Sequence, residues 1–195
     1  MTRSRVLAAA ILLVLAGGGP RAHAQDVFQL QYSLGFPAGD TRDLTGEVSF
    51  LGMDLGFRRF ASSRVSWGLS AGLQVFDEST TRTATVTGGA VSGRQYRYTN
   101  VIPLYAGVHY HLGRNSFHPY LAANAGVQLV TRRIQFGTGR LASTSVHAAL
   151  APEAGLYFPL GTYGGTVSVR YHLTSAVDGY RESHVSVGIG VVDDF

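Results

Sequence analysis

Four charged residues are the first candidates for chemistry, because they lie among small and apolar residues in a chain that is poor in charge. They are Asp54, Arg58, Glu153 and Arg170, in 195 residues of which only 14% are charged. A charge that leaves water must be compensated by an opposite charge or by hydrogen bonds. We therefore expect these two carboxylates and two guanidinium groups to form ion pairs in the protein interior. Such pairs would either plug an internal channel or gate a narrow pore.

Two histidines form a second candidate site, because His109 and His111 lie two residues apart. Alternate side chains of a β-strand share a face, so the two imidazoles would lie side by side. Two imidazoles can bind zinc only when further ligands complete its coordination, and no third ligand is near them in sequence. A hydrogen-bonded pair without metal is the simpler interpretation. His147 and His172 are candidates for the same interior.

Apolar residues alternate with small or polar residues in eight separate segments. In the first segment Phe28, Leu30 and Tyr32 alternate with Gln29 and Gln31. Since side chains alternate across a strand, each segment predicts a strand with one apolar face. Membrane β-barrels have an even number of strands of about 9–11 residues. The eight segments are Phe28–Phe36, Leu51–Phe57, Val65–Val75, Ile102–Leu112, Leu121–Leu129, Leu150–Phe158, Val167–Leu173 and Val185–Val191.

The connections between these segments alternate in length, with long loops at one end of the sheet and short turns at the other. Outer-membrane barrels have short periplasmic turns and longer outer loops. The long connections are Phe36–Val48, Asp77–Val101, Arg132–Val146 and Thr174–His184, and the short ones are Arg59–Val65, Gly113–His118 and Pro159–Gly165. A ten-stranded barrel remains an alternative if Asp77–Asn100 is itself a hairpin, which Gly88 and Gly89 permit.

Three prolines constrain the strands, because proline cannot donate a ladder hydrogen bond. We expect Pro103 and Pro119 at strand starts, and a bulge at Pro152.

The polar face of the predicted strands is mostly Gly, Ser, Gln, Ala and Asn, with few charges. A soluble, lipocalin-like barrel would place its apolar face inside and would need a charged exterior. Small polar residues instead suit the narrow interior of a small barrel. The composition therefore predicts that the apolar face meets lipid. Aromatic residues near the short turns favour a membrane-interface girdle: Phe28, Phe57, Trp67, Tyr110 and Phe158.

Residues 1–24 have the pattern of a cleaved signal peptide. Arg3 and Arg5 precede an apolar run, which is followed by glycines and by Ala22-His23-Ala24. The net charge of +4 arises mainly from this leader, so the mature chain, residues 25–195, is nearly neutral and gives no support to nucleic-acid binding. The absence of cysteine excludes disulfides and cysteine-ligated metals. The mature length suits one domain.

With its leader, its alternating hairpins and its terminal Phe195, the sequence resembles the small outer-membrane β-barrel proteins of Gram-negative bacteria. The stretches that carry the resemblance are residues 32–40 (YSLGFPAGD), 65–72 (VSWGLSAG) and 150–155 (LAPEAG). The resemblance implies outer-membrane location, and it implies that the barrel-assembly machinery recognises the C-terminal strand through Phe195. These motifs are structural, so they imply a fold rather than an activity.

Some outer-membrane barrels are lipid A deacylases with a Ser, His and acidic triad, and residues 170–176 (RYHLTSA) resemble their motif. In those enzymes the serine stands two residues after the histidine. Here Thr174 has that place after His172, and Ser175 would point to the opposite face. We therefore expect a barrel that is not an enzyme, with lipid A modification as an alternative.

The sequence thus predicts an all-β, eight-stranded antiparallel up-and-down transmembrane barrel, monomeric and without cofactor. Its expected role is structural, surface-interacting or porin-like passage of small solutes; a soluble periplasmic ligand-binding barrel is a further alternative. Expected partners are outer-membrane lipid, lipopolysaccharide and the assembly machinery. Arg82, Arg94 and Arg97 in the Asp77–Asn100 stretch are candidates to bind lipopolysaccharide phosphates, which suit arginine geometry.

Overall fold

The computed structural model describes the backbone of residues 26–86, 89–113, 117–136, 139–177 and 179–193. Side chains are described over the same ranges except for residues 44, 79–86, 89–96, 134, 136, 139 and 140. The predicted signal peptide, the terminal Phe195 and the side chains of Arg82 and Arg94 lie outside the described part.

The described chain forms a closed barrel of eight antiparallel strands, which confirms the predicted fold class. Each strand pairs with the next in sequence, and β8 pairs with β1. The strands are β1 (Asp26–Ala38), β2 (Leu51–Phe60), β3 (Val65–Val86), β4 (Gly89–His111), β5 (His118–Phe136), β6 (Gly139–Leu160), β7 (Tyr163–Thr174) and β8 (Ser183–Val192). A short helix, α1 (Asp40–Leu44), follows β1. The described part of the chain contains no helix with the length and hydropathy to span a bilayer.

The strands are staggered around the barrel. A line of directly paired residues that starts at Phe28 returns to β1 at Ala38 instead of at its origin. Such a shear requires strands that tilt strongly against the barrel axis, as membrane strands do. The line runs through Phe57, Leu69, Ala106, Ala125, Leu150, Leu173 and Ser183.

The apolar face of the strands is outside, as the composition predicts. Leu30 and Leu55 are 45% and 54% exposed, whereas Gln31, next to Leu30 in sequence, is 2% exposed. Phe28, Trp67 and Tyr110 are outward and exposed near the short turns, where an aromatic girdle is expected. An exterior of this kind is stable in hydrocarbon and rules out the soluble barrel with an apolar interior.

Two of the predicted long loops are strands. The stretches Asp77–Val101 and Arg132–Val146 continue the ladders of β3–β4 and β5–β6 to within two residues of the hairpin tips. The Asp77–Asn100 stretch is therefore a hairpin, but it extends existing strands instead of adding two, so the ten-stranded alternative is wrong. The strands are also longer than expected, up to 23 residues for β4.

The prolines fit the ladders with less disturbance than expected. Pro119 lies near the start of β5, as predicted, but Pro103 lies inside β4 and pairs with Gln128. Pro152 pairs with Ala123 without a bulge, because the register with β7 is the same on both sides of it. Both strands keep their place because a proline removes only one hydrogen bond, toward one neighbour.

The short turns and the long loops lie at opposite ends, as predicted. Among the described residues, the short-turn end carries 61–64, 112–113, 117 and 161–162, and the long-loop end carries 39–50 with α1, 175–177 and 179–182.

Candidate functional site

The lumen is filled by three successive layers of side chains. The first, near the short-turn end, is aromatic. Tyr120 and Tyr157 stack with ring centroids 4.8 Å apart, and the Arg58 guanidinium lies 4.8 Å from the Tyr120 ring centroid. Phe60 lies beside His111, with ring centroids 4.8 Å apart. We call these rings the tyrosine layer, and they close the short-turn end of the lumen.

The second layer brings the four predicted charged residues together. Arg170 donates from Nε to Glu153 Oε2 at 2.8 Å and from Nη1 to Asp54 Oδ1 at 3.2 Å. Arg58 Nη2 lies 3.4 Å from Glu153 Oε1. The pairing follows from the ladder, because Glu153 and Arg170 are directly opposite on β6 and β7. We call these four residues the charge layer.

The charge layer has polar partners that the sequence did not identify. The Tyr120 hydroxyl donates to Glu153 Oε1 at 2.6 Å, and Asn124 Nδ2 donates to Glu153 Oε2 at 3.2 Å. Glu153 thus receives hydrogen bonds or ion pairs from four side chains. Two buried carboxylates and two guanidinium groups balance in charge, which limits the cost of removing them from water.

The third layer lies toward the long-loop end and consists mainly of rings. His172 and His184 stack with ring centroids 4.0 Å apart, and Phe76 packs edge-on against His184. The Tyr105 hydroxyl lies 2.8 Å from His172 Nδ1, and His172 Nε2 lies 2.9 Å from Ser186 Oγ. We call these residues the histidine layer. His172 was expected to point inward; the parts played by His184 and Phe76 were missed.

His109 and His111 both point into the lumen, where each lies beside the Tyr120 ring. Their ring centroids lie 5.8 Å and 6.0 Å from that of Tyr120. His111 Nε2 lies 3.0 Å from Ser66 Oγ, so His111 has a hydrogen-bond partner on β3. Among the described residues there is no group of three or more potential ligands that could hold a metal ion.

Little free volume remains between the tyrosine and charge layers. A cavity of about 10 Å³ lies among Arg58, His109, Asn124 and Arg170. A single water molecule needs at least about 10–15 Å³. This space is at the lower limit for a single water molecule, so the described side chains nearly fill the lumen around it.

A fourth group of contacts lies at the long-loop end, and we call it the outer latch. The Thr41 hydroxyl of α1 donates to Glu182 Oε1 at 2.8 Å, and Arg132 Nη2 of β5 lies 3.3 Å from Glu182 Oε2. The Arg132 guanidinium stacks on the Tyr180 ring at 3.4 Å from its centroid. The Tyr180 hydroxyl donates to the carbonyl of Asp40. Helix α1, strand β5 and the loop residues Tyr180 and Glu182 are thereby joined at the rim of the barrel.

The outer latch should be more stable in mild acid than at neutral pH. Glu182 lies in a loop outside the spanning strands, where burial raises its pKa above the 4.5 of an ordinary glutamate, although Thr41 and Arg132 oppose the shift. The folded protein then holds a proton that the unfolded chain has lost, so stability rises as pH falls through the raised pKa and levels off below 4.5. The urea midpoint of the wild type relative to that of a Glu182→Gln variant, compared at pH 7.5 and 5, measures this difference.

The control for this prediction is Glu182→Gln, which keeps the shape of the neutral carboxyl. Its urea midpoint should lose the part of the pH dependence that comes from Glu182. A wild-type midpoint that gains nothing relative to that of Glu182→Gln between pH 7.5 and 5 would contradict the assignment.

One inward glycine is required by the tyrosine layer. A Cβ on Gly155 would lie 2.5 Å from the end of the Tyr120 ring, which is held by Tyr157 and by Glu153. We expect Gly155→Ala to destabilise the barrel by about 1–3 kcal/mol, the usual cost of overpacking. Gly56→Ala is the matched control, because its Cβ would meet Gln29 at an ordinary 3.5 Å. Urea unfolding in micelles should separate the two variants; equal midpoints would show that Tyr120 moves freely.

The residues that resemble the deacylase motif do not meet. Both ring nitrogens of His172 face other partners, Tyr105 and Ser186. The Ser175 hydroxyl instead accepts from the backbone N–H of Ala148. The described structure therefore gives no support to a His172–Ser175 catalytic pair.

Comparisons with known proteins reveal likeness of fold but not of sequence. No family model matches the chain, and no curated protein matches it. Neisserial surface protein A (NspA) has a TM-score of 0.57 at 12% identity, covering 88% of this chain and 99% of that chain. Ail, the attachment invasion locus protein of Yersinia pestis, solved with a heparin analogue, has a TM-score of 0.49 at 16% identity, with coverages of 87% and 97%. The N-terminal barrel of Pseudomonas aeruginosa OprF has a TM-score of 0.43 at 14% identity, with coverages of 87% and 99%.

Identities this low establish architecture rather than role. The closed ladder and the exposed apolar outer face, which we call the belt, agree with this likeness: the chain has the eight-stranded antiparallel barrel fold that NspA also has.

Proposed function

We propose that this protein is a closed outer-membrane barrel that acts through its outer surface and does not pass solutes. The observation that carries the proposal is the filled lumen: the tyrosine, charge and histidine layers follow one another along the barrel axis. A small barrel has room for side chains and little else. The filled lumen therefore favours a plug over a gate as the role of the charge layer.

Planar-bilayer recording tests this proposal. The folded wild-type protein should show no step conductance at 100 mV. A variant with Tyr120→Ala, Arg170→Ala and His172→Ala removes one large group from each layer and serves as the open control. Discrete conductance steps from the wild type would contradict the proposal and would show that the barrel passes solutes.

The strands that project beyond the barrel wall supply the proposed outer surface. β2 pairs with β3 only as far as Val75, and β7 pairs with β6 only from Ala149 onward. Beyond these points β3, β4, β5 and β6 form a sheet whose two outer edges have no paired strand among the described residues. Unpaired edges are sites where another polypeptide can add a strand. This arrangement favours a surface-interaction role over a purely structural one.

The proposed lipid partners follow from charge at the outer rim. Arg133 is exposed on the outward face of β5, directly opposite Tyr98 on β4. An arginine beside an interfacial tyrosine suits contact with lipopolysaccharide phosphates. Arg97, an earlier candidate for that contact, lies on the lumen-facing side of β4 instead. We further propose a cofactor-free monomer that is assembled through its C-terminal strand.

A further inference from the structure

A serine and a histidine of β6 face each other near the long-loop end of the lumen. Ser145 Oγ lies 2.8 Å from His147 Nε2, and both side chains are on the lumen-facing side of the strand. Ser145 is half-buried, whereas His147 is 1% exposed. None of the three lumen layers uses this pair, and the sequence did not suggest it.

The other contact of His147 fixes which atom carries the proton. His147 Nδ1 lies 2.9 Å from the backbone carbonyl oxygen of Ser175, which can only accept. Nδ1 must therefore be the protonated nitrogen of the neutral ring, and Nε2 presents its lone pair to the serine. The Ser145 hydroxyl then donates to His147. This is the direction that a general base requires when it activates a serine.

The strand edge beside Ser145 also offers a backbone donor. Ala148 exchanges hydrogen bonds with Ser175 on the side of β6 that faces β7. Since ladder groups alternate from residue to residue, the N–H of Val146 points to the same side. No strand pairs with that edge outward of Ala149 in the described ranges. In many serine hydrolases the N–H of the residue after the nucleophile stabilises the oxyanion.

We propose that Ser145 and His147 form a nucleophile–base pair that hydrolyses small carboxylic esters arriving from the outer side. Ser145 Oγ bonds to the ester carbonyl carbon while His147 Nε2 takes the hydroxyl proton, and the Val146 N–H faces the oxyanion. Collapse of the intermediate breaks the bond to the alcohol, which leaves with the proton from His147. Water then hydrolyses the acyl-serine with His147 again as the base.

The histidine layer limits the substrate to small esters. Thr174 is buried opposite Ala149 on the neighbouring strand, and the stacked His172 and His184 block the path farther inward. Because Ser145 faces the lumen and not the lipid, an ester must reach it from the aqueous outer side. This activity would add to the proposed closed barrel and does not depend on the lumen being open or shut.

A fluorophosphonate probe tests the nucleophile directly on the folded protein in detergent micelles. Ser145 Oγ attacks phosphorus, fluoride leaves, and the serine proton passes to His147. We expect one added phosphonyl group per chain, located on Ser145 by peptide mass spectrometry. Ser145→Ala should prevent labelling, and His147→Gln should slow it about 100-fold, the lower range for loss of a general base. Ser143→Ala, an exposed serine two residues away, is the matched control and should label like the wild type.

Folding of each variant is checked by its faster migration on an unheated denaturing gel. Release of p-nitrophenol from p-nitrophenyl acetate by the folded wild type, lost in Ser145→Ala, would support turnover. The proposal is overturned if the folded wild type is not labelled, if folded His147→Gln labels at the wild-type rate, or if the wild type is labelled but releases no p-nitrophenol beyond one equivalent.

Discussion

Arg170→Ala should destabilise the folded barrel by about 3–5 kcal/mol, the range for removing one partner of a buried ion pair. Arg170 is the group through which Glu153 and Asp54 are both compensated, at 2.8 Å and 3.2 Å. Its loss leaves Asp54, whose side chain is 12% exposed, without its cationic partner, and it leaves the fully buried Glu153 with Arg58 alone. Urea unfolding in micelles, followed by the fluorescence of Trp67, the one tryptophan of the chain, measures the change.

Two further variants separate charge pairing from the mere loss of a side chain. Arg133→Ala removes an exposed arginine from the outer face of β5 and should change stability by no more than about 0.5 kcal/mol. Combining Arg170→Ala with Glu153→Ala leaves Asp54 and Arg58, which are opposite in charge, so the double variant should recover part of the loss. If Arg170→Ala and Arg133→Ala had the same stability, the charge layer would contribute nothing to the stability of the fold.

The Arg170→Ala variant should also remain non-conducting, because the tyrosine and histidine layers still fill the lumen on either side of it. Step conductance in this single variant would identify the charge layer as the gate of a pore.

Leu104→Arg should cost about 2–4 kcal/mol, the penalty for arginine at the middle of the bilayer on the lipid face of a barrel. Leu104 is outward and 42% exposed, and it lies midway along β4 between the outward Tyr98 and Tyr110. Leu112→Arg is the matched control. That leucine is 58% exposed just beyond the short-turn end of β4, where the same change should cost about 0–1 kcal/mol. Equal losses at the two sites would show that the belt does not lie in hydrocarbon.

The strands within the belt could be predicted because lipid requires apolar side chains on one face of a strand, whereas the lumen requires small or polar side chains on the other. Leu30 and Gln31 illustrate this alternation, and it recurs in all eight strands. Beyond the belt the lipid no longer imposes this demand, and Thr80-Thr81-Arg82-Thr83 shows no alternation in sequence. For this reason the extended strands were taken for loops.

The sequence could predict which residues form the charge layer, but it could not predict which of them are in contact. Parity along each strand places Asp54, Arg58, Glu153 and Arg170 inside, whereas the pairing among them depends on register between strands, which a single sequence does not reveal. Tyr120 and Asn124 belong to the same parity class on β5 and could have been found by that criterion. Glu182 could not, because it lies in a loop without periodicity. The prediction of a bulge at Pro152 was wrong because the ladder with β5 alone holds β6 in register there.

The span of the charge layer has a consequence for assembly. Arg170 on β7 binds Asp54 on β2, 116 positions earlier in the chain, across the lumen. A partly inserted sheet, in which β8 has not yet met β1, cannot form this contact and would turn its charges toward lipid. Hairpins that enter the bilayer one at a time would each carry that penalty, so insertion should proceed with the strands already curved around water. Once β8 has paired with β1, no single strand can leave the barrel without exposing charges that side chains of other strands compensate. The barrel should therefore be lost in one cooperative step, and slowly.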